Sequence, residues 1–289
     1  MGNLLKNLLV LAGAFIVSLM AAGFIAELMP LMFEAGSRDC YLAQSVVQNI
    51  VGFCGAGFVA AGLISGNSLT YLGLSERVSL RPFIGVLIVY ILGLPAMNQL
   101  IYYNSVIPFP DSLSGIESWM KQMEELNGRI TDVILSTHTI GGLLSGILII
   151  GVLTGFSEEV LFRGTLQKIM TSDNSISVWG IWIAAFIFSA VHLQFYGFFP
   201  RLLLGAFFGY IFFTTGSLWP AVFAHALNNS MVVAGEWLSR NYPSLGFDDK
   251  LFVTEHGFPI VAFVSLIATI LFFYKFYNYF FDGCKRQFN

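Results

Sequence analysis

The chain has 289 residues, 56% of them hydrophobic and only 11% charged, where roughly 25% charged is usual for a globular protein. A net charge of -3 excludes a basic nucleic-acid-binding surface, and the three cysteines, Cys40, Cys54 and Cys284, form no C-x-x-C pair that would suggest a zinc knuckle or a disulfide framework. These figures predict an all-α polytopic membrane protein, a single integral domain over 1–289.

In chain order, Lys6 precedes an apolar run that starts at Leu8, resumes after Glu27 and reaches Met32, too long for a secretory signal. At about 20 apolar residues per crossing, about eight transmembrane helices are expected. They are Leu8 to Met29, Ser45 to Leu63, Pro82 to Tyr102, Thr139 to Met170, Ile176 to Tyr196, Phe198 to Thr214, Leu218 to Leu238 and Phe258 to Phe281. An even count puts both termini on one side with Lys6, Arg77, Arg81, Lys168, Lys285 and Arg286. Arg38, Lys121, Arg129, Arg201, Arg240 and Lys250 lie opposite. Basic residues that flank the spans closely favour cytoplasmic termini in a cell membrane.

Two connections are long. In 104–136, Asp111 is placed to cap a helix, and Leu113, Ile116, Trp119, Met120, Met123 and Leu126 recur at helical intervals. This predicts an amphipathic helix on the membrane surface, with a lid over a substrate entrance as the sharper alternative. The second, Ser239 to Gly257, is mixed and polar and carries no pattern.

Three polar islands interrupt the apolar helices within 139–238. In the first, Glu158 and Glu159 follow an uncharged stretch, Thr139 to Thr154, where each carboxylate is disfavoured by at least ~2.5 kcal/mol. Glu159 and Arg163 stand four apart, the acid first, as a structural ion pair does; Glu158, turned by ~100°, is left free for chemistry. The second is His192, four residues after Phe188, and the third sets His225 and Asn229 at i and i+4. Taken singly, each reads equally as buried structural polarity. At ~1.5 Å per residue, Glu158 and His192 lie ~24 and ~27 Å from a turn near Asn174, hence level with each other, and His225 lies ~13 Å from the turn at Gly216.

If the islands converge, a carboxylate, two imidazoles and an amide can activate water and stabilise a developing oxyanion. Zinc held by Glu158, His192 and His225, with Glu159 as base, is the rival mechanism and the sole cofactor candidate. A proton- or cation-coupled transporter and a noncatalytic scaffold are the other readings of such groups.

Together, Glu158-Glu159-x-x-x-Arg163, Phe188-x-x-x-His192 and His225-x-x-x-Asn229 resemble the CAAX protease and bacteriocin-processing family (CPBP/ABI) of intramembrane proteases, which includes type II CAAX prenyl endopeptidases. The resemblance covers roughly Gly141 to Gly235. It implies a multi-helix fold with a cavity open to the cytoplasmic side, and peptide-bond hydrolysis. It also implies that Glu158 and His192 activate water, His225 and Asn229 form the oxyanion site, and Glu159 and Arg163 are the structural pair. The partners implied are a peptide or protein substrate, lipidated or membrane-anchored, and membrane lipid. The family is commonly labelled metalloprotease, although a metal-free glutamate mechanism has been argued for some members.

Overall fold

The computed structural model describes residues 2–171, 178–245 and 252–281. The expected turn near Asn174, and Lys250, Cys284, Lys285 and Arg286, lie outside the described residues. Within them the protein is all-α: α1 (Gly2–Ala26), α2 (Arg38–Ser65), α3 (Arg81–Ser105), α4 (Ser114–Leu135), α5 (Ile140–Thr171), α6 (Val178–Ala190), α7 (Phe198–Thr215), α8 (Trp219–Asn241) and α9 (Ile260–Phe281). Capping chemistry explains several boundaries. Ser37 and Thr139 open α2 and α5 by accepting from the backbone N–H groups of Cys40 and Gly142. Gly66 and Gly216 close α2 and α7 in the left-handed conformation, at φ of 76° and 67°.

The helices α1, α2, α3, α5 and α7 are long and apolar enough to cross a membrane, while α6 and the stretch Ile260–Lys275 of α9 are shorter apolar helices. The chain is therefore a multi-pass membrane protein. Among the described residues, five helices meet that length and composition; α8 is long enough but carries His225, Asn228 and Asn229.

Loop contacts give the bundle two ends. At one, Leu218 donates its N–H to the Gly73 carbonyl at 3.1 Å, the Trp219 indole donates to Leu74 at 3.0 Å, and Lys168, near the end of α5, donates to Tyr71. At the other, Arg38 donates to the carbonyls of Ile134 and Gly142, both at 2.7 Å, clamping the end of α4 to the start of α5. Gln99 and Thr254 exchange two hydrogen bonds at that same end, tying the start of α9 to α3. Gln44 donates to Ala26 there too, so the start of α1 and the close of α9 are both at the first end.

Two expectations need correction. The fifth apolar run does not continue as helix to Tyr196: α6 stops at Ala190, and Leu193 takes a left-handed φ of 54° before a single turn at Phe195–Gly197. Asp111 does not cap α4; it begins a separate turn, Asp111–Leu113, and no side chain caps the helix start. The predicted apolar stripe divides: Leu113, Ile116, Trp119 and Leu126 are exposed, whereas Met120 is buried. Beyond that stripe, Ile134 and Leu135 are buried with Leu42 and Val233.

The helices nearest the site are not regular. Wide π turns occupy Gln48–Cys54 in α2 and both Ile147–Leu153 and Val160–Gln167 in α5. The hydroxyls of Thr154 and Thr165 donate to carbonyls five residues back, at Ile149 and Val160, and so occupy acceptors within these loosened turns. Such turns concentrate at functional sites, and two of them bracket Glu158 and Glu159.

Candidate active site

The helical rotation between neighbours separates the two acids. Glu159 is fully buried, and its Oε1 accepts from Arg163 Nη1 at 2.7 Å, the pair that the spacing predicts. Arg163, also fully buried, donates to the Gly205 carbonyl at 3.1 Å, and its guanidinium lies 4.3 Å from the centre of the Phe188 ring. The same Glu159 oxygen meets His225 Nδ1 at 2.7 Å, so it orients a site imidazole as well as pairing with arginine. That second contact, between residues on different helices, has no signature in the sequence.

Glu158 faces the other way, into a cavity of about 850 Å³ whose lining includes His192, His225 and Asn229. Its Oε2 lies 3.6 Å from His225 Nε2 and 4.0 Å from His192 Nε2. His192 Nδ1 is 2.7 Å from the Phe188 carbonyl and therefore carries the hydrogen in the neutral ring; His225 Nδ1 donates to Glu159 in the same way. Both rings thus turn Nε2 toward Glu158. His225 is held further by stacking on Phe208, with ring centres 4.9 Å apart.

Close backbone approach makes this convergence possible. A Cβ on Gly155 would lie 2.9 Å from Ala226 N and 3.1 Å from its Cα, so only glycine lets α5 lie this near α8 one turn before Glu158. Asn229, one turn beyond His225, lines the cavity and donates to the Ile150 carbonyl at 3.3 Å. Ser189, one turn before His192, spends its hydroxyl on the Phe198 carbonyl at 2.7 Å and is buried, which removes it as a nucleophile.

Several residues that build the site have no clear mark in the sequence. Asn49 accepts from Ser157 and donates to Thr154 at 3.1 Å, linking α2 to the turn that carries Glu158. Its signal was the Gln48-Asn49 pair of amides leading into an apolar run. Asn104, at the end of α3, donates to the Phe195 carbonyl at 2.9 Å and accepts from Phe199 N at 2.9 Å, fixing the chain just after His192. The end of α4 also supplies cavity wall through Ile130, Thr131, Ile134 and Leu135.

Among the described residues, no group of three or more His, Cys, Asp or Glu side chains is arranged to hold a metal ion. No chemical step below is routed through a metal.

The model of the Rce1-like family, type II CAAX prenyl endopeptidases, matches residues 140–231. No curated protein and no solved structure matches the chain. The matched stretch bears every motif residue, from Glu158 to Asn229, and its likeness is to the same family that those motifs resemble.

Proposed function

We propose that the protein is an intramembrane endopeptidase in which Glu158 activates water for attack on a peptide carbonyl. The observation that carries this reading is the approach of one carboxylate oxygen to two imidazole Nε2 atoms, at 3.6 and 4.0 Å, on the wall of a single cavity. The wider gap is too long for a direct hydrogen bond and suits one water ~2.8 Å from each partner. That water donates one hydrogen to Glu158 Oε2 and the other to the bare His192 Nε2.

As the water oxygen bonds to the carbonyl carbon, Glu158 takes its proton and the carbonyl π electrons move onto oxygen. Asn229 keeps one amide hydrogen for that oxygen beside its bond to Ile150, a donor worth ~3 kcal/mol in comparable sites. His225 donates to the same oxygen when its Nε2 holds a proton, with Nδ1 retained by Glu159. Collapse breaks the C–N bond, and the proton on Glu158 passes to the leaving amine. The products are a carboxylic acid and an amine, with one water consumed.

The substrate class is a peptide or protein presented from the membrane, with CAAX-type processing near a lipidated C-terminus as the specific form suggested by the family match. The test is hydrolysis of farnesylated peptides by the purified full chain. Glu158→Gln is expected to lower kcat by ~10²-fold or more while the melting temperature holds. A Glu158→Gln protein that cleaves at the parental rate overturns the assignment. Proteoliposome ion flux lost in His192→Ala, with no proteolysis by the parent, replaces it with transport. Stoichiometric zinc in active protein, with activity lost on chelation and restored by zinc, replaces the glutamate mechanism with a metal-based one.

A further inference from the structure

Arg201 lies in the first turn of α7 and lines the same cavity as Glu158, His192 and His225. Its hydrogen-bond partners are both neutral and belong to one residue: Nη1 donates to the Gln194 backbone carbonyl at 3.2 Å and Nη2 to the Gln194 side-chain oxygen at 2.9 Å. A guanidinium carries five N–H donors in a planar fork, so three are left over. No ion pair joins it to a carboxylate among the described residues. Glu158 and Glu124 lie within range of its field, yet neither closes on it. Arg163, by contrast, has its charge answered by Glu159, and Arg38 spreads its donors over the carbonyls of Ile134 and Gly142 and the Ser145 hydroxyl.

A cation held this way is costly in an apolar surround unless something anionic completes it. Gln194 fixes the fork without neutralising it, and the fork's geometry matches the two oxygens of a carboxylate. We propose that Arg201 binds a carboxylate of the peptide substrate and thereby sets which bond reaches Glu158. This rests on the endopeptidase reading for its substrate, though not for its measurement. Two sources share the chemistry: the free C-terminal carboxylate of the peptide, and an acidic side chain near the scissile bond.

Binding is measured on the full chain in detergent, in a Glu158→Gln background so that no turnover intervenes. The probes are fluorescent farnesylated peptides in two matched pairs. One pair ends in a free acid or a carboxamide; the other carries Glu or Gln beside the expected cleavage position and ends in a carboxamide. The free acid, or the Glu peptide, is expected to bind about tenfold tighter than its neutral twin, the scale of one charge-assisted hydrogen-bonded pair. Whichever pair shows the preference names the source. Arg201→Gln is expected to erase the preference and Arg201→Lys to keep part of it, with neutral-peptide affinity little changed. Equal affinity for acid and neutral peptides in both pairs overturns the proposal, as does a preference that survives Arg201→Gln. The acid-against-neutral comparison on Arg201-containing protein requires no further substitution, so it decides the matter even if Arg201→Gln fails to fold. Absence of cleavage by the parent leaves this binding result standing and counts only against the hydrolytic reading.

Discussion

Adjacent acids on one helix meet opposite surroundings here. Glu159 is enclosed with Arg163 and His225, and Glu158 opens onto the cavity. A buried charge deprived of its partner is destabilising by about 3–5 kcal/mol, so Glu159→Ala is expected to lower the unfolding free energy by that much and the detergent melting temperature with it. The double variant Glu159→Leu with Arg163→Met is expected to recover most of the loss, since it leaves no orphaned charge. Thermal unfolding of the single and double variants checks both; equal instability in the two would show that the pair is not the source. The ion pair was readable from the sequence because four residues span one helical turn. The contact of Glu159 with His225 was not, because it depends on how two helices cross.

That crossing is a property of elements. A methyl group at position 155 has backbone on its far side and nowhere to go, so Gly155→Ala is expected to push α5 from α8. Overpacking of this kind is destabilising by roughly 1–3 kcal/mol, and the displaced His225 should cut kcat more than it raises KM. Peptide hydrolysis kinetics on the folded fraction make the comparison; unchanged kcat would mean that α8 carries His225 without help from this contact. The end of α6 was less legible. An apolar run continues through Val191 and Phe195, and nothing in its composition announces that helix gives way at Ala190. The break is held in the structure by the His192 bond to the Phe188 carbonyl, the Leu193 N–H on Ala190, and Ser189 on Phe198. Leu193 accepts a left-handed backbone that disfavours side chains by ~1–2 kcal/mol, a strain placed directly beside a site histidine. The three islands were found from residue type and spacing alone, whereas the break that aims one of them was not.

For the whole molecule, the cavity lies toward one end of the bundle. Its lining runs from mid-helix positions such as Glu158 and His225 to Tyr41, Ile101 and Leu135, at the end away from the start of α1 and the close of α9. The ends of the chain's first and last helices and these lining residues therefore lie at opposite ends of the bundle. In a protein with its native cysteines replaced, single cysteines at Asn3 and Ser114 are expected to react with a membrane-impermeant maleimide from opposite sides of sealed vesicles. Labelling of both from one side would contradict the arrangement of the helices.

The amide of Asn104 holds a further consequence. By gripping both Phe195 and Phe199 it makes α3 the anchor of the strand of chain that presents His192, and Asn49 does the like for the turn that presents Glu158. Both anchors lie before residue 140, outside the stretch that carries the family signature. A gene fragment encoding 140–231 alone, inserted into nanodiscs, is accordingly expected to show no cleavage of a peptide that the full chain cleaves, and co-expression with 1–139 is expected to restore it. The recognisable part of the protein is a tenant whose walls belong to its unrecognised neighbour.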